Sequence, residues 1–206
     1  MTDAAGRTHA PAGPEARIVS LVPSLTETLF SLGLDEAVVG RTTYCVEPAG
    51  RVEAVPSVGG TKKINRAKLA ALRPSHVLVN VDENTKAMAD EIAATGVAVV
   101  VTHPLAPADN VALYRLLGGL FERAAEAEAL VRAFEAELAA TMEAARDRPG
   151  RRVLYLIWKD PWMTVSHDTY ISATLAAAGL ETLCHDPAVR YPEIEITPEL
   201  LTASDA

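Results

Sequence analysis

The first hundred residues alternate between short apolar runs and helical segments, and this alternation constrains the fold more than any other feature. The apolar runs are rich in valine and isoleucine, as is typical of buried strands. Strands separated by helices in this order predict a parallel sheet with right-handed crossover connections. The predicted strands cover residues 17–22, 38–39, 76–81 and 97–102, and the predicted helices between them cover residues 24–32, 66–72 and 84–95.

Two kinds of local signal predict where these helices begin and end. Ser24 is followed three residues later by Glu27, a capping-box pattern that predicts a helix start at Ser24. Gly33 and Gly96 come directly after two of the predicted helices. Glycine accepts the left-handed backbone conformation with which many helices end, so we expect both helices to stop there.

The alternation stops after residue 106. Residues 107–148 carry no strand signal and predict two helices, 108–120 and 122–146, with a break in the first near Gly118 and Gly119. The larger apolar residues of the second helix recur about every four positions, as on one helix face. At 1.5 Å per residue this helix spans roughly 35 Å, a suitable length for a rod between two lobes.

The end of the sequence predicts a second, smaller α/β lobe. Its elements are a strand over residues 152–158 and helices over 169–178 and 197–202. One clear strand leaves sheet edges uncovered, so we expect this lobe to be truncated. The predicted parts are a disordered lead-in (1–16), an N-terminal α/β lobe (17–106), a helical segment with an inter-lobe backbone helix (107–148) and an incomplete C-terminal α/β lobe (149–206).

Charge and composition argue against several classes of protein. The 19 basic residues are outnumbered by 27 acidic ones, and a net charge of −8 does not suit phosphate contacts with nucleic acid. No run approaches the roughly 20 apolar residues of a membrane-spanning helix. Residues 1–15 lack the apolar centre of a secretory signal, so the protein is cytosolic or its signal is missing from this sequence.

Both tryptophans lie close together, although aromatic residues make up only 5% of the chain. Trp158 ends an apolar run, and Trp162 follows in a polar loop that contains a proline. In open α/β folds, ligands bind beyond the carboxyl ends of the strands. An indole offers a flat apolar face with a polar edge to such a ligand. We therefore predict that both tryptophans form a wall of a cleft, with burial in the core as the alternative for each.

The two cysteines, Cys45 and Cys184, do not form a disulfide framework. Cys45 follows Tyr44 in the polar loop after the strand at 38–39, and it is either a pocket residue, a structural residue or a nucleophile. A nucleophilic thiol requires a base nearby, and no cysteine-enzyme signature is recognisable here. The pairs of histidine and acid at residues 167–168 and 185–186 have poor spacing for zinc, so no metal site is predicted.

Other polar residues near predicted strand ends are candidates for ligand contact. Thr61 and Lys62 follow two glycines in a turn that lacks the Walker phosphate-loop pattern. His103 ends the strand at 97–102 and is either a ligand contact or a structural histidine. Asn80 and Glu83 lie between a strand and a helix, where capping of the helix by Asp82 or Glu83 is the alternative role.

Six segments, taken in order, resemble a known family. These segments resemble the helical-backbone (class III) solute-binding proteins of ABC importers, and among them the cobalamin-binding proteins and the helical backbone metal receptors. The similarity extends over nearly all of residues 17–201. The segments are residues 17–30 (RIVSLVPSLTETLF), 40–48 (GRTTYCVEP), 58–62 (VGGTK), 72–80 (LRPSHVLVN), 154–165 (LYLIWKDPWMTV) and 190–193 (RYPE).

The resemblance implies two Rossmann-like α/β lobes with parallel sheets, joined by one long helix, and a ligand held between the lobes. That ligand is usually a corrinoid, an iron chelate such as a siderophore, or haem. It further implies a monomer that is not an enzyme, that needs no cofactor and that docks on a membrane permease through a surface glutamate of each lobe. The second docking residue is then Glu199, whereas Ala67 stands at the position of the first.

The resemblance also implies an extracytoplasmic location, because members of the family are exported. A cytosolic metal-binding or tetrapyrrole-binding protein of the same fold, without a transporter, is the alternative, and an enzyme that uses Cys45 is a third possibility. At positions where the cobalamin-binding relatives carry aromatic residues, this chain has Thr61 and Asn80. The predicted ligand-binding residues are Tyr44, Cys45, Thr61, Lys62, Asn80, Glu83, His103, Trp158, Trp162 and Arg190.

Overall fold

A computed structural model describes residues 1–183 and 188–205 of the chain. Cys184 and the histidine and acid at 185–186 lie outside the described residues. The chain divides into two compact units. Unit 1 contains Met1–His103 and Ala112–Val131, and unit 2 contains Pro104–Val111 and the chain from Arg132 onwards.

Unit 1 is built on a four-stranded parallel sheet, as the alternation of the sequence predicts. The strand order is β2-β1-β3-β4, so the chain crosses over the sheet between β2 and β3. Ile18 pairs with His76, which pairs with Ala98. The strands are β1 (Ile18–Ser20), β2 (Val38–Arg41), β3 (His76–Asn80) and β4 (Ala98–Thr102).

Helices cover both faces of this sheet. Leu78 of β3 lies in a buried cluster with side chains of helices α1 and α4, whereas Val77 and Val79 lie in a second cluster with α2 and α3. The alternation follows from the two-residue period of a strand, and burying a side chain of this size contributes about 2 kcal/mol. The helices are α1 (Pro23–Ser31), α2 (Arg66–Ala71), α3 (Lys86–Ala93), α4 (Asn110–Leu120) and α5 (Ala124–Arg146). Helix α5 contributes residues to both units.

The predicted capping box at Ser24 is wrong. Helix α1 begins at Pro23, and Val22 is the N-cap residue without a side-chain hydrogen bond to the helix. Proline suits the first helical position because the helix needs no N–H donor there. The helix ends are predicted correctly, since Gly33 and Gly96 have φ angles of 69° and 88°.

The prediction of a disordered lead-in is wrong for the first dozen residues. The backbone N–H of Ala4 donates to the carbonyl of Val101 in β4 at 2.9 Å, and that of Ala12 donates to Leu120 at 2.8 Å. Asp3 is buried, and its carboxylate accepts the backbone N–H of Val101 at 3.0 Å. A buried carboxylate with several donors orders a segment whose apolar content alone predicts disorder.

Gly118 and Gly119 do not break α4, which continues through both residues to Leu120. A Cβ on Gly118 would lie 2.3 Å from Cβ of Ala127, so the glycine permits close packing of α4 against α5. The chain turns after α4 instead, at Glu122, whose φ is 56°.

Unit 2 is smaller and contains a two-stranded parallel sheet. β5 (Arg151–Val153) shares only residues 152 and 153 with the strand predicted over 152–158, and β6 (Leu180–Thr182) was not predicted. Helices α6 (Tyr170–Ala177) and α7 (Pro198–Ala203) start after Thr169 and Thr197, whose hydroxyls accept backbone N–H groups of the first turn. Among the described residues, no helix combines the length and apolar character needed to cross a membrane.

Candidate functional site

The four parallel strands of unit 1 end at the same edge of the sheet, and this edge carries most of the predicted ligand residues. Tyr44 follows β2, Asn80 ends β3 and His103 follows β4. A turn formed by residues 58–64 belongs to the same region, because the backbone N–H of Thr43 donates to the carbonyl of Gly59 at 2.8 Å.

Tyr44 is exposed to solvent over 62% of its surface. Its ring lies beside the backbone of Gly60, where an added Cβ would come within 3.4 Å of Cε2. An exposed aromatic ring at a strand end offers apolar area to a ligand at little cost in ordering. The structure thus places Tyr44 where the sequence analysis expects a ligand contact.

The turn of residues 58–64 places Thr61 and Lys62 at its tip. Gly59 and Ile64 form an antiparallel bridge, and the N–H of Gly60 donates to the carbonyl of Lys63 at 2.9 Å. Gly59 has a φ of 119°, and a Cβ there would lie 2.8 Å from the Lys63 oxygen, so this position requires glycine. Lys62 is exposed and Thr61 is half-buried.

Asn84 connects the loops at this edge, a role that the sequence analysis missed. Its Nδ2 donates to the carbonyl of Leu21 at 3.2 Å and to that of Thr61 at 2.8 Å. Its Oδ1 accepts the N–H of Asn80 at 2.9 Å. Asn84 is buried, with 8% of its surface exposed. The sequence feature that indicates this role is the asparagine itself, because its amide is one of the few side-chain groups that donate and accept hydrogen bonds at once.

The alternative role of Asp82 and Glu83 as helix caps is not observed. Helix α3 begins after Thr85, whose hydroxyl accepts the N–H of Met88. Oδ1 of Asp82 lies 3.7 Å from Nε2 of His103, and both side chains are largely shielded from solvent. Glu83 is exposed at the same edge.

Cys45, which was predicted to contact a ligand, is completely buried. Its Sγ accepts a hydrogen bond from the Thr26 hydroxyl at 3.1 Å and lies 3.2 Å from the Thr42 hydroxyl. Small apolar residues of this kind belong to cores, and these contacts supply no general base. The structure therefore corrects Cys45 from a ligand residue to a core residue.

In unit 2, both tryptophans belong to a hairpin-like loop. Trp158 and Met163 form an antiparallel bridge. The N–H of Met163 donates to the carbonyl of Trp158 at 3.1 Å, and the N–H of Ile157 donates to the carbonyl of Met163 at 2.9 Å. Trp158 is 64% exposed, which rules out the core alternative for this residue. Trp162 is half-buried, and Nζ of Lys159 lies 5.7 Å from its ring centre, within cation–π range.

Two further predicted residues of unit 2 have defined contacts. The guanidinium of Arg190 donates to the Asp168 carbonyl at 3.1 Å and lies 5.6 Å from the ring of Tyr191. Glu199 is exposed in the first turn of α7. Hydrogen bonds from its own backbone N–H and from the Thr197 hydroxyl hold the pKa of Glu199 below its ordinary value, so the carboxylate is charged at neutral pH.

Within the described residues, no group of three or more metal-ligating side chains is suited to a bare metal ion.

Each unit also has a cavity that the sequence analysis did not predict. The cavity of unit 2, of about 330 Å³, is lined by side chains of α6 and β6, among them Ser172 and Thr182. The cavity of unit 1, of about 680 Å³, is lined by residues 13, 14, 16, 33–37 and 121–123.

A parallel sheet with aromatic and polar side chains beyond its strand ends defines an α/β ligand-binding protein. The comparison with protein families makes the class specific. The family model described as "Periplasmic binding protein" matches residues 18–192, and the chain belongs to this family.

The similar proteins include receptors for two kinds of metal chelate. The vitamin B12-binding protein of Yersinia pestis (strain Pestoides F) is 28% identical in an alignment 196 residues long, which covers 89% of this chain and 65% of the relative. The chain thus spans slightly less than two thirds of the length of the curated relatives that it matches.

Solved structures confirm the predicted fold class and the family resemblance. The periplasmic vitamin B12 binding protein BtuF of Vibrio cholerae superposes with a TM-score of 0.82 at 19% identity, over 92% of this chain and 74% of that chain. The periplasmic heme-binding protein RhuT from Roseiflexus sp. RS-1 superposes with a TM-score of 0.79 at 27% identity, over 92% and 73%.

Proposed function

We propose that this chain is the substrate-binding component of an ABC importer and binds cobalamin or a related metal chelate, either a siderophore or haem. Membership of the periplasmic binding protein family and the ligands named for the similar proteins support the proposal. Binding requires shape and contacts but no chemistry, so the protein is not an enzyme.

The observation that carries the proposal is the exposure of aromatic rings in loops that follow strands. Tyr44 and Trp158 are exposed over 62% and 64% of their surfaces, although apolar side chains of this size are normally buried. A planar macrocycle covers such rings by stacking, which removes their apolar faces from water. Trp162, beside Lys159, offers a third ring.

Polar contacts complete the proposed ligand set. On unit 1 we assign Thr61, Lys62, Asn80, Glu83 and His103, which like Tyr44 lie in the segments at the carboxyl ends of the strands. On unit 2 we assign Arg190, whose carbonyl accepts the N–H of Ser166. Amide, carboxylate and phosphate groups at the edge of a chelate are suitable partners for these side chains.

The importer role requires a permease, and Glu199 is its proposed contact in unit 2. The charged, exposed carboxylate of Glu199 is available for a basic partner. A location outside the cytoplasm belongs to the same proposal.

The sequence around Ala67 favours the alternative of a cytosolic chelate-binding protein without a transporter, because Arg66 and Lys68 flank an alanine where a docking carboxylate is expected.

Calorimetric titration with cyanocobalamin, cobinamide, ferric haem and a ferric hydroxamate siderophore tests the binding proposal. We expect saturable one-to-one binding of at least one chelate with a micromolar or lower Kd, which corresponds to about −8 kcal/mol or better. Absence of saturable heat with all four chelates would contradict the proposal. Pull-down of a permease by wild-type protein but not by Glu199→Ala would separate the importer role from the cytosolic alternative.

A further inference from the structure

We propose that Asn84 is a positioning residue that fixes the turn of residues 58–64 for ligand binding. This inference rests on the proposed function, because the turn carries Thr61 and Lys62 of the proposed ligand set. It adds a residue that contacts no ligand itself and acts through the backbone of the turn.

The hydrogen bonds of Asn84 join three separate loops of unit 1. Its Nδ2 donates to Leu21, which follows β1, and to Thr61 at the tip of the turn. Its Oδ1 accepts from the N–H of Asn80 at the end of β3. One buried amide side chain thus satisfies two carbonyl acceptors and one N–H donor, groups that are costly to leave unpaired in a protein interior.

The bond to Thr61 lies at the tip of the turn, beyond the bridge that closes it. The base of the turn is held by the bridge between Gly59 and Ile64 and by the bond from Thr43 to Gly59. Asn84 reaches the tip at 2.8 Å, where the next residue is Lys62. A loop held at both base and tip loses less conformational entropy on binding, so the affinity of the ligand is higher.

The same amide also couples the turn to the polypeptide around Asn80. Oδ1 of Asn80 accepts the N–H of Asp82 at 2.8 Å, and Asp82 lies beside His103. The segments that carry Thr61 and Asn80 are therefore joined by hydrogen bonds of Asn84, and Asp82 brings the second of them within 3.7 Å of His103. Preorganisation of several polar contacts by one buried group is a general means of raising affinity.

The substitution Asn84→Asp tests the proposal because it preserves shape. The carboxylate keeps an acceptor for the N–H of Asn80 but directs its second oxygen at the carbonyls of Leu21 and Thr61, which repel it. Asn65→Asp is the matched control, since Asn65 caps α2 through its Oδ1 alone and tolerates a carboxylate there. Asn84→Ala removes the bonds without repulsion and serves as a second variant if the aspartate prevents folding.

Two measurements are compared in wild type and variants. Hydrogen exchange reports the amide of Gly60, which donates to Lys63 within the turn, and that of Thr43, which donates to Gly59. Calorimetry reports the Kd for whichever of the four chelates binds wild type. We expect Asn84→Asp to accelerate exchange in the turn and to raise the Kd, each at least tenfold, while exchange in β3 and the values for Asn65→Asp stay unchanged.

A rescue experiment separates positioning from general damage. Below the pKa of the introduced carboxyl, its O–H again donates to one carbonyl, so the ratio of variant Kd to wild-type Kd is expected to fall as pH is lowered. Unchanged exchange in the turn, or faster exchange with unchanged Kd, overturns the role of Asn84. If wild type binds none of the four chelates, the proposed function fails first and the role of Asn84 in binding fails with it.

Discussion

Nε2 of His9 lies 3.0 Å from Oδ2 of Asp3, and this contact joins two residues of the N-terminal segment of unit 1. Both side chains are almost completely buried. The Asp3 carboxylate also accepts backbone N–H groups of Ala5, Arg7 and Val101. The Asp3 carboxylate therefore attaches the start of the chain to β4, together with the bond from the Ala4 N–H to the Val101 carbonyl.

The pH dependence of stability is expected to reflect Asp3. Burial alone would raise the pKa of Asp3, but the hydrogen bonds from His9 and from the three backbone N–H groups outweigh it and lower the pKa below 3.8. The carboxylate therefore stabilises the fold above pH 3.8, and this contribution is lost as pH falls through the lowered pKa. Asp3→Asn is expected to cost about 2 kcal/mol at pH 7.

Urea unfolding from pH 7 down to pH 3 measures this effect. The difference in the free energy of unfolding between wild type and Asp3→Asn should be constant above pH 5 and should shrink below pH 3.8. The exposed residue Asp147 provides the matched control, Asp147→Asn, for which no difference is expected at any pH. An Asp3→Asn protein as stable as wild type at pH 7 would show that the segment is not held by this carboxylate.

His76 is expected to change the stability of the fold at higher pH than Asp3 does. Burial and the neighbouring His9 lower the pKa of His76 below 6.5, so the folded protein resists protonation that the unfolded chain accepts. The unfolded state then binds more protons, and stability decreases as pH falls below about 6.5. His76→Gln should reduce the difference in stability between pH 7.5 and pH 5.5, and an identical difference in both proteins would contradict this assignment.

Two neighbouring glycines of the turn at 58–64 should respond differently to alanine. Gly59→Ala forces a side chain onto a φ of 119° and within 2.8 Å of the Lys63 oxygen, so we expect a loss of about 1–3 kcal/mol. The Cβ of Gly60→Ala lies 3.4 Å from Cε2 of Tyr44 and 3.7 Å from the Lys63 oxygen, so this substitution should cost much less. Thermal unfolding of the two variants compares them directly, and equal losses would argue against the observed backbone of Gly59.

The burial of Cys45 predicts slow thiol chemistry. In a Cys184→Ser background, Cys45 is the remaining cysteine of the chain. Because the residue is 0% exposed, its reaction with an aromatic disulfide reagent should require unfolding and should follow the unfolding rate in urea. Rapid labelling of the folded protein would contradict the core position and would reopen a surface role for this thiol.

Much of unit 1 follows from sequence patterns because its strands are continuous apolar runs. Each predicted strand overlaps an observed one, and the parallel sheet follows from the helices between them. The order of the lead-in was not predicted because it depends on hydrogen bonds to the buried Asp3, which composition does not reveal. Gly118 was interpreted as a breaker because the sequence cannot show that α5 passes within contact of it.

The candidate site was predictable only in part. Position after a strand correctly indicates that Tyr44 and His103 lie at one edge, since parallel strands end together. The same rule misplaced Cys45, because neighbouring side chains of one loop can differ in burial: Tyr44 is exposed, whereas Cys45 is buried. Asn84 was missed since its function depends on the carbonyl of Thr61, a partner that is 23 residues distant in sequence.

The central claim is that exposed aromatic rings bind a metal chelate, and fluorescence titration of tryptophan tests it most directly. Wild type, Tyr44→Ala and Trp158→Ala are titrated with cyanocobalamin and ferric haem, with Met142→Ala as the control because Met142 is 55% exposed on α5. We predict saturable quenching of wild type and of Met142→Ala, and at least tenfold weaker binding by the two aromatic variants. No saturable quenching of wild type, or equal affinity of all four proteins, would contradict the account.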